Sequence, residues 1–114
     1  MTSIPDDLLK IDEQAEASRL SRSSKAFEVL LERGDLSVEL FVPRGTDTQS
    51  SHERDEVYIV SSGTGLFRRD RDTVEFRTGD LLFVPAGVDH WFERFSANFR
   101  TWVIFFGPRG GVQN

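Results

Sequence analysis

The chain has 114 residues, which is the length of one small domain. Its net charge of −5 argues against nucleic acid as a partner, and the lack of cysteine excludes disulfides and thiolate metal sites. No apolar run reaches the about 18 residues that a membrane span needs, and the N-terminus does not resemble a secretory signal. We therefore expect a cytoplasmic protein without a membrane segment.

The first 25 residues are polar and mixed, and we expect them to form an N-terminal arm on the body or on a second subunit. Their scattered apolar residues are sufficient for one short helix. Residues 26–107 are predicted to form the folded body, and residues 108–114, rich in glycine, a flexible C-terminal tail.

From residue 26 the sequence alternates between apolar and polar residues, as strands do. About eight short strand patterns follow one another, separated by turn residues, which predicts an all-β sandwich or small barrel. Ten phenylalanines and two tryptophans favour the same class. In the second strand, the natural apolar set for the interior is Leu36, Val38, Leu40 and Val42.

The chain has only two histidines, and one of them lies four residues before an acid at the start of a strand pattern. On an extended strand, side chains four apart share a face, so we expect His52 and Glu56 to point towards one site. A second histidine from elsewhere in the chain would complete a group of three side chains at that site.

That second histidine, His90, ends a block of turn residues. The block runs through Gly79, Pro85, Gly87 and His90. It resembles the second motif of the cupin superfamily, Gly-x5-Pro-x-Gly-x2-His-x3-Asn. It departs at the last position, where this chain has Arg94.

The segment around the first histidine resembles the first cupin motif, Gly-x5-His-x-His-x3,4-Glu-x6-Gly. The match is at His52, Glu56 and Gly63. The segment departs at the first histidine of the motif, where this chain has Ser50, and Gly45 lies one residue nearer than the pattern expects.

The resemblance covers about residues 30–107 and implies an antiparallel β-barrel of jelly-roll topology with about six to eight strands. It also implies one divalent metal, held by His52, Glu56 and His90. Two histidines and one carboxylate suit first-row transition metals, with Fe(II) favoured and Mn, Ni, Cu or Zn as alternatives.

Other polar and aromatic side chains near the implied site are candidates for further contacts. Gln49 and Ser50 could supply a fourth contact to the metal or hold a ligated water. Tyr58, Phe92 and Arg94 are candidates for substrate binding, because alternation places them on the faces of Glu56 and His90. The alternatives are that Tyr58 is a core aromatic and that Arg94 pairs with a surface acid.

The leading functional hypothesis is a metal-dependent enzyme acting on a small organic molecule. It would be an Fe(II)-dependent oxygenase, or an isomerase or lyase using the metal as a Lewis acid. The alternative is a non-catalytic ligand- or metal-binding module, favoured by the loss of the first histidine at Ser50. A purely structural role is a third class. The resemblance also implies a homodimer.

Overall fold

The computed structural model describes residues 7–47 and 51–112, which contain one helix and eight strands. In chain order these elements are α1 (Glu13–Ser21), β1 (Phe27–Arg33), β2 (Leu36–Phe41), β3 (Asp55–Ser62), β4 (Thr64–Arg69), β5 (Asp72–Arg77), β6 (Leu81–Val84), β7 (His90–Glu93) and β8 (Arg100–Phe106). The prediction of a mainly β protein with one short helix is confirmed.

The strands form two antiparallel sheets. One has five strands in the order β1-β2-β8-β3-β6, and the other has three in the order β5-β4-β7. Within residues 7–47 and 51–112 no hydrogen-bonded strand pair joins one sheet to the other. Closure into the barrel that the resemblance implies therefore stays a prediction.

An aromatic cluster fills the space between the two sheets. Its buried rings come from both sheets and from the loop before β8: Tyr58, Phe67, Phe76, Phe92 and Phe99. Tyr58 and Phe92, from opposite sheets, meet edge to face with ring centroids 4.9 Å apart. Such contacts add to the stabilisation from buried area, so the phenylalanine-rich composition is explained by this core.

The interior face of β2 is not the one that its sequence predicts. Glu39 and Phe41 face the interior: Glu39 lines an internal cavity, and the Phe41 ring lies 6.2 Å from that of Phe92. Leu40 is buried on the opposite face, where it pairs with Trp102 of β8. The alternation itself is correct, but helix α1 covers the outer face, so both faces of β2 bury apolar groups.

Helix α1 begins with a side-chain cap and packs on the outer face of the five-stranded sheet. The Asp12 carboxylate accepts a hydrogen bond from the backbone N–H of Ala15 (3.1 Å), an N-cap contact. Glu13 accepts hydrogen bonds from the Trp102 indole (2.8 Å) and from the Ser61 hydroxyl.

Among the described residues, no helix is long and apolar enough to cross a membrane. The boundary of the arm at residue 25 stays a prediction.

Residues after β8 contact the segment that leads into β3. Gly110 donates its backbone N–H to the carbonyl of Glu53 (2.7 Å), and Val112 donates to the carboxylate of Asp55 (3.2 Å). Part of the predicted C-terminal tail therefore lies beside the entry to β3, while its predicted flexibility stays untested.

Candidate metal centre

The two histidines and the glutamate lie at the ends of strands. Glu56 is the second residue of β3 and His90 is the first residue of β7. His52 lies three residues before β3, outside the strand. The expectation that His52 and Glu56 share one strand face is therefore wrong, and a loop brings the imidazole to the carboxylate instead.

Backbone contacts join the two sequence blocks that carry these residues. Gly87 donates its N–H to the carbonyl of His52 (2.8 Å), and Ala86 donates to the Asp55 carboxylate (2.9 Å). Gly87 has a φ of 81°, in the left-handed region that favours glycine. The turn before His90 is thus held against the loop of His52.

The three side chains converge on one point. The Nδ1 atom of His52 and the Nε2 atom of His90 each lie 2.8 Å from Oε1 of Glu56. One potential ligand atom from each residue lies within 4.8 Å of the others. The side chains of Glu56 and His90 are 1% and 0% exposed, whereas that of His52 is 34% exposed, so the group opens to solvent on the His52 side.

The hydrogen bonds of His90 leave its Nε2 atom directed at the carboxylate. Its Nδ1 lies 2.9 Å from the carbonyl oxygen of Val88, which only accepts, so Nδ1 carries a proton and donates. In neutral His90, Nε2 then has a lone pair facing a carboxylate oxygen. Only a cation between the two atoms, either a proton or a metal ion, makes this contact attractive. Metal-ligating histidines have this arrangement, with the other ring N–H donated to a carbonyl.

Mutual interactions shift the pKa values of the two buried groups. Burial alone would raise the pKa of Glu56, but hydrogen bonds from His52 and His90 lower it below the usual 4.5. Burial alone would lower the pKa of His90, but the hydrogen bond and charge of Glu56 raise it above 6.5. In the metal-free protein each of the two groups therefore favours the charged form of the other.

One carboxylate oxygen of the group has no hydrogen-bond partner among the residues that the structure describes. Glu56 Oε2 is buried and makes no hydrogen bond to any described residue. Beside it lies a cavity of about 250 Å³, lined by Phe27, Glu39, Phe41, His52, Glu56, Val103 and Phe105. Its walls are largely aromatic, with a few polar groups, as is usual for small-molecule sites.

The structure brings together some of the other predicted site residues and separates one. The Tyr58 hydroxyl lies 3.0 Å from Nε2 of His90, and Phe92 is buried in the core beside it. Arg94 follows the end of β7 and has a positive φ of 50°. Its side chain is exposed to solvent and lines a different cavity, of about 650 Å³. It is not beside His90 as expected, because the strand alternation ends before it. Gln49 and Ser50 lie outside the described residues.

Sequence reasoning missed two acidic residues that matter here. Asp55 is buried at the start of β3 and accepts a hydrogen bond from Ala86, which joins the loop of Ala86 to this strand. Glu39 lines the cavity with His52 and Glu56, and burial raises its pKa to about 7 despite the opposing charge of His52. The available signal for Glu39 was an acid alternating with leucines in a strand, which is also the pattern of a solvent-facing residue.

The fold and the site define a cupin, and the comparisons agree. The family model for the cupin domain matches residues 37–102, and the chain therefore belongs to the cupin family. A protein from Shewanella frigidimarina that contains a cupin-2 domain has a similar structure, with a TM-score of 0.67 and 22% identity. The match covers 85% of this chain and 94% of that one, and at this identity it shows the fold alone.

Two relatives in sequence differ in how much they share with the chain. Uncharacterized protein SCO3923 of Streptomyces coelicolor is 35% identical over 98 residues, covering 84% of this chain and 92% of the relative. Acireductone dioxygenase of Parvibaculum lavamentivorans is 36% identical over 69 residues, covering 56% of this chain. The match spans only 38% of the dioxygenase, so the similarity concerns one part of that enzyme and not the whole.

Proposed function

We propose that this cupin holds one divalent transition metal between His52, Glu56 and His90 and acts on a small organic molecule. The observation that carries the proposal is Oε2 of Glu56, which is buried and has no hydrogen-bond partner within residues 7–47 and 51–112, next to two imidazoles whose nitrogens face the same carboxylate. A buried charged oxygen without a partner is costly unless a cation satisfies it. The donor set fits a metal ion in both chemistry and convergence.

Fe(II) is the favoured metal, with Mn, Ni, Cu and Zn as alternatives. Two histidines and one carboxylate that leave coordination positions open are the typical ligands of non-haem Fe(II) oxygenases. Bound there, Fe(II) would supply oxygen activation, and any of these ions would supply a Lewis acid.

The chain's own residues orient and shield the site. The Val88 carbonyl fixes the His90 tautomer, and the Tyr58 hydroxyl restrains its ring from the buried side. Phe41 and Phe105 form an aromatic wall of the cavity, which would disfavour water beside a bound substrate. A substrate would enter past His52, because its side chain is the exposed member of the group.

An oxygenase is the reaction class that we favour. The partial similarity to acireductone dioxygenase supports it, as does a ligand set with open positions. A metal-assisted isomerase or lyase uses the same ligands and remains the second reaction class, because cupins host many unrelated functions.

A non-catalytic binding module is the alternative that Ser50 favours, since the first histidine of the cupin motif is missing there. Such a module would bind metal and ligand without converting the ligand. Dioxygen consumption by the Fe(II)-loaded protein with candidate substrates separates the two functions. Consumption that disappears in His52→Ala supports the enzyme, and ligand binding without consumption supports the module.

Metal content tests the proposal. The protein should be purified without a histidine tag or chelator, incubated with each of the five metals, desalted and analysed by inductively coupled plasma mass spectrometry. We expect about one metal per chain in the wild type and in Glu75→Gln, an exposed control on β5. We expect almost none in His52→Ala/His90→Ala. A wild-type protein that retains no metal contradicts the proposal.

A further inference from the structure

Glu39 is a second acid that lines the cavity, half-buried and separate from the metal-binding group. It lies on β2, whereas Glu56 lies on β3, and β8 runs between these strands. Their backbones are therefore about two strand spacings apart, on the order of 10 Å. Glu39 is not a member of the cluster formed by His52, Glu56 and His90.

Both glutamates nevertheless face the same cavity. Across the sheet, Glu39 pairs with Val103, and Glu56 pairs with Phe105, two positions further along β8. Residues two apart on a strand share a face, so both acids project to the interior side. The floor between them is the apolar surface of Val103 and Phe105, and both of these residues line the cavity.

The side chain of Glu39 has an environment that a purely structural acid would not need. In the described part of the chain, no hydrogen bond or ion pair is formed by its carboxylate. The charged groups around it are the acids Glu32 and Glu56 and the bases His52 and Arg54, so the surroundings do not supply a net positive charge. A half-buried acid in an apolar cavity destabilises the fold, and such groups are concentrated at functional sites.

We propose that Glu39 is the proton acceptor for a substrate that carries an acidic hydroxyl, of the enol or phenol class, on a small flat apolar body. The inference rests on the proposed function, because the substrate would bridge the metal centre and Glu39. The apolar body would lie on Val103 and Phe105. The O–H bond of the hydroxyl breaks, its electron pair stays on the substrate oxygen, and the proton passes to the Glu39 carboxylate.

The acidity of Glu39 matches this task. Burial raises its pKa to about 7, so at neutral pH it is a far stronger base than an exposed glutamate. A carboxylate with a normal pKa would accept a proton from an enol or phenol much less readily. The cavity of about 250 Å³ limits the substrate to a small molecule.

Binding of 4-nitrocatechol to the zinc-loaded protein tests the inference without requiring turnover. Zinc is colourless and inert to redox, so the visible spectrum reports only whether the bound probe is singly or doubly deprotonated. The variants are Glu39→Gln, which keeps the shape and removes the base, and Glu75→Gln as the exposed control. Zinc content is measured on the same samples.

We expect wild type and Glu75→Gln to bind the doubly deprotonated probe. Glu39→Gln should bind about tenfold more weakly, with a singly deprotonated spectrum and unchanged zinc. Wild-type affinity and spectrum in Glu39→Gln would overturn the inference, as would a zinc-loaded wild type that does not bind the probe. Loss of zinc from Glu39→Gln would make Glu39 part of the metal site and also contradict it. A wild type that retains neither zinc nor any of the other four metals overturns the proposed function itself.

Discussion

Replacing Glu39 with glutamine should stabilise the metal-free protein at alkaline pH and have little effect in acid. Burial raises the pKa of Glu39 from 4.5 to about 7. This rise means that the fold disfavours the ionised side chain by about 3 kcal/mol, since a shift of one pKa unit corresponds to about 1.4 kcal/mol. Because the side chain is only half-buried, solvent screening reduces this to about 2 kcal/mol.

The sign follows from the proton balance. When the folded pKa of an acid is raised, its contribution to stability is full below the unfolded pKa of 4.5 and is lost as the pH rises through about 7. Wild type should therefore lose about 2 kcal/mol of unfolding free energy between about pH 4.5 and pH 8 on account of Glu39. Glu39→Gln does not ionise and should lack this loss.

Urea denaturation of chelator-treated protein at several pH values measures the effect. We expect the difference in unfolding free energy between Glu39→Gln and wild type to grow by about 2 kcal/mol from about pH 4.5 to pH 8. Glu75→Gln, exposed on β5, should follow the wild-type curve. Parallel curves for wild type and Glu39→Gln would refute the reasoning, because they would mean that the carboxylate ionises as easily in the fold as in water.

Five further predictions concern the site, the helix and the assembly. Because the pKa of His90 is raised, metal binding near pH 6.5 should release a proton and strengthen as the pH rises, which calorimetry in buffers of different ionisation enthalpy measures. In the metal-free protein the lowered pKa of Glu56 stabilises the fold above about 4.5, and this stability should be lost as the pH falls further. Tyr58→Phe removes the hydrogen bond to His90 and should lower the free energy of unfolding, measured by urea denaturation, by about 1 kcal/mol. The variant should still bind metal. Glu13→Ala should lower the free energy of unfolding by about 1–2 kcal/mol, because it removes the hydrogen bond that holds Trp102 to helix α1. A tryptophan emission maximum at the same wavelength as in wild type would count against that contact. Light scattering should give the mass of a homodimer, and a monomer at high concentration would contradict it.

Much of the fold and the centre of the site could be predicted from the sequence. Alternating residues and turn glycines gave the strands, and the two motif blocks identified His52, Glu56 and His90. The interior face of β2 could not be predicted, because the alternation of apolar and polar residues separates two faces of a strand but does not show which of them is buried. Leu40 is buried outside the core on the face where helix α1 packs, and Glu13 of that helix, far away in the chain, accepts a hydrogen bond from Trp102 on the same face.

The position of Arg94 shows a second limit of sequence patterns. Alternation from His90 predicted that its side chain faces the site, but β7 ends at Glu93 and the φ of Arg94 is 50°. Positive φ at a residue other than glycine is uncommon and leaves no clear signature in the sequence. Glu39 was missed for a related reason, since an acid in an alternating strand looks the same whether it faces solvent or a cavity.

The central claim is that His52, Glu56 and His90 together hold a metal ion. Anomalous diffraction from crystals grown with Fe(II) under anaerobic conditions, with data collected on both sides of the iron absorption edge, tests it most directly. We predict one anomalous peak per chain, in direct contact with Glu56 and both histidine rings. A peak at another position, or an ordered site with no peak in crystals grown with any of the five metals and measured at that metal's own edge, would contradict the claim.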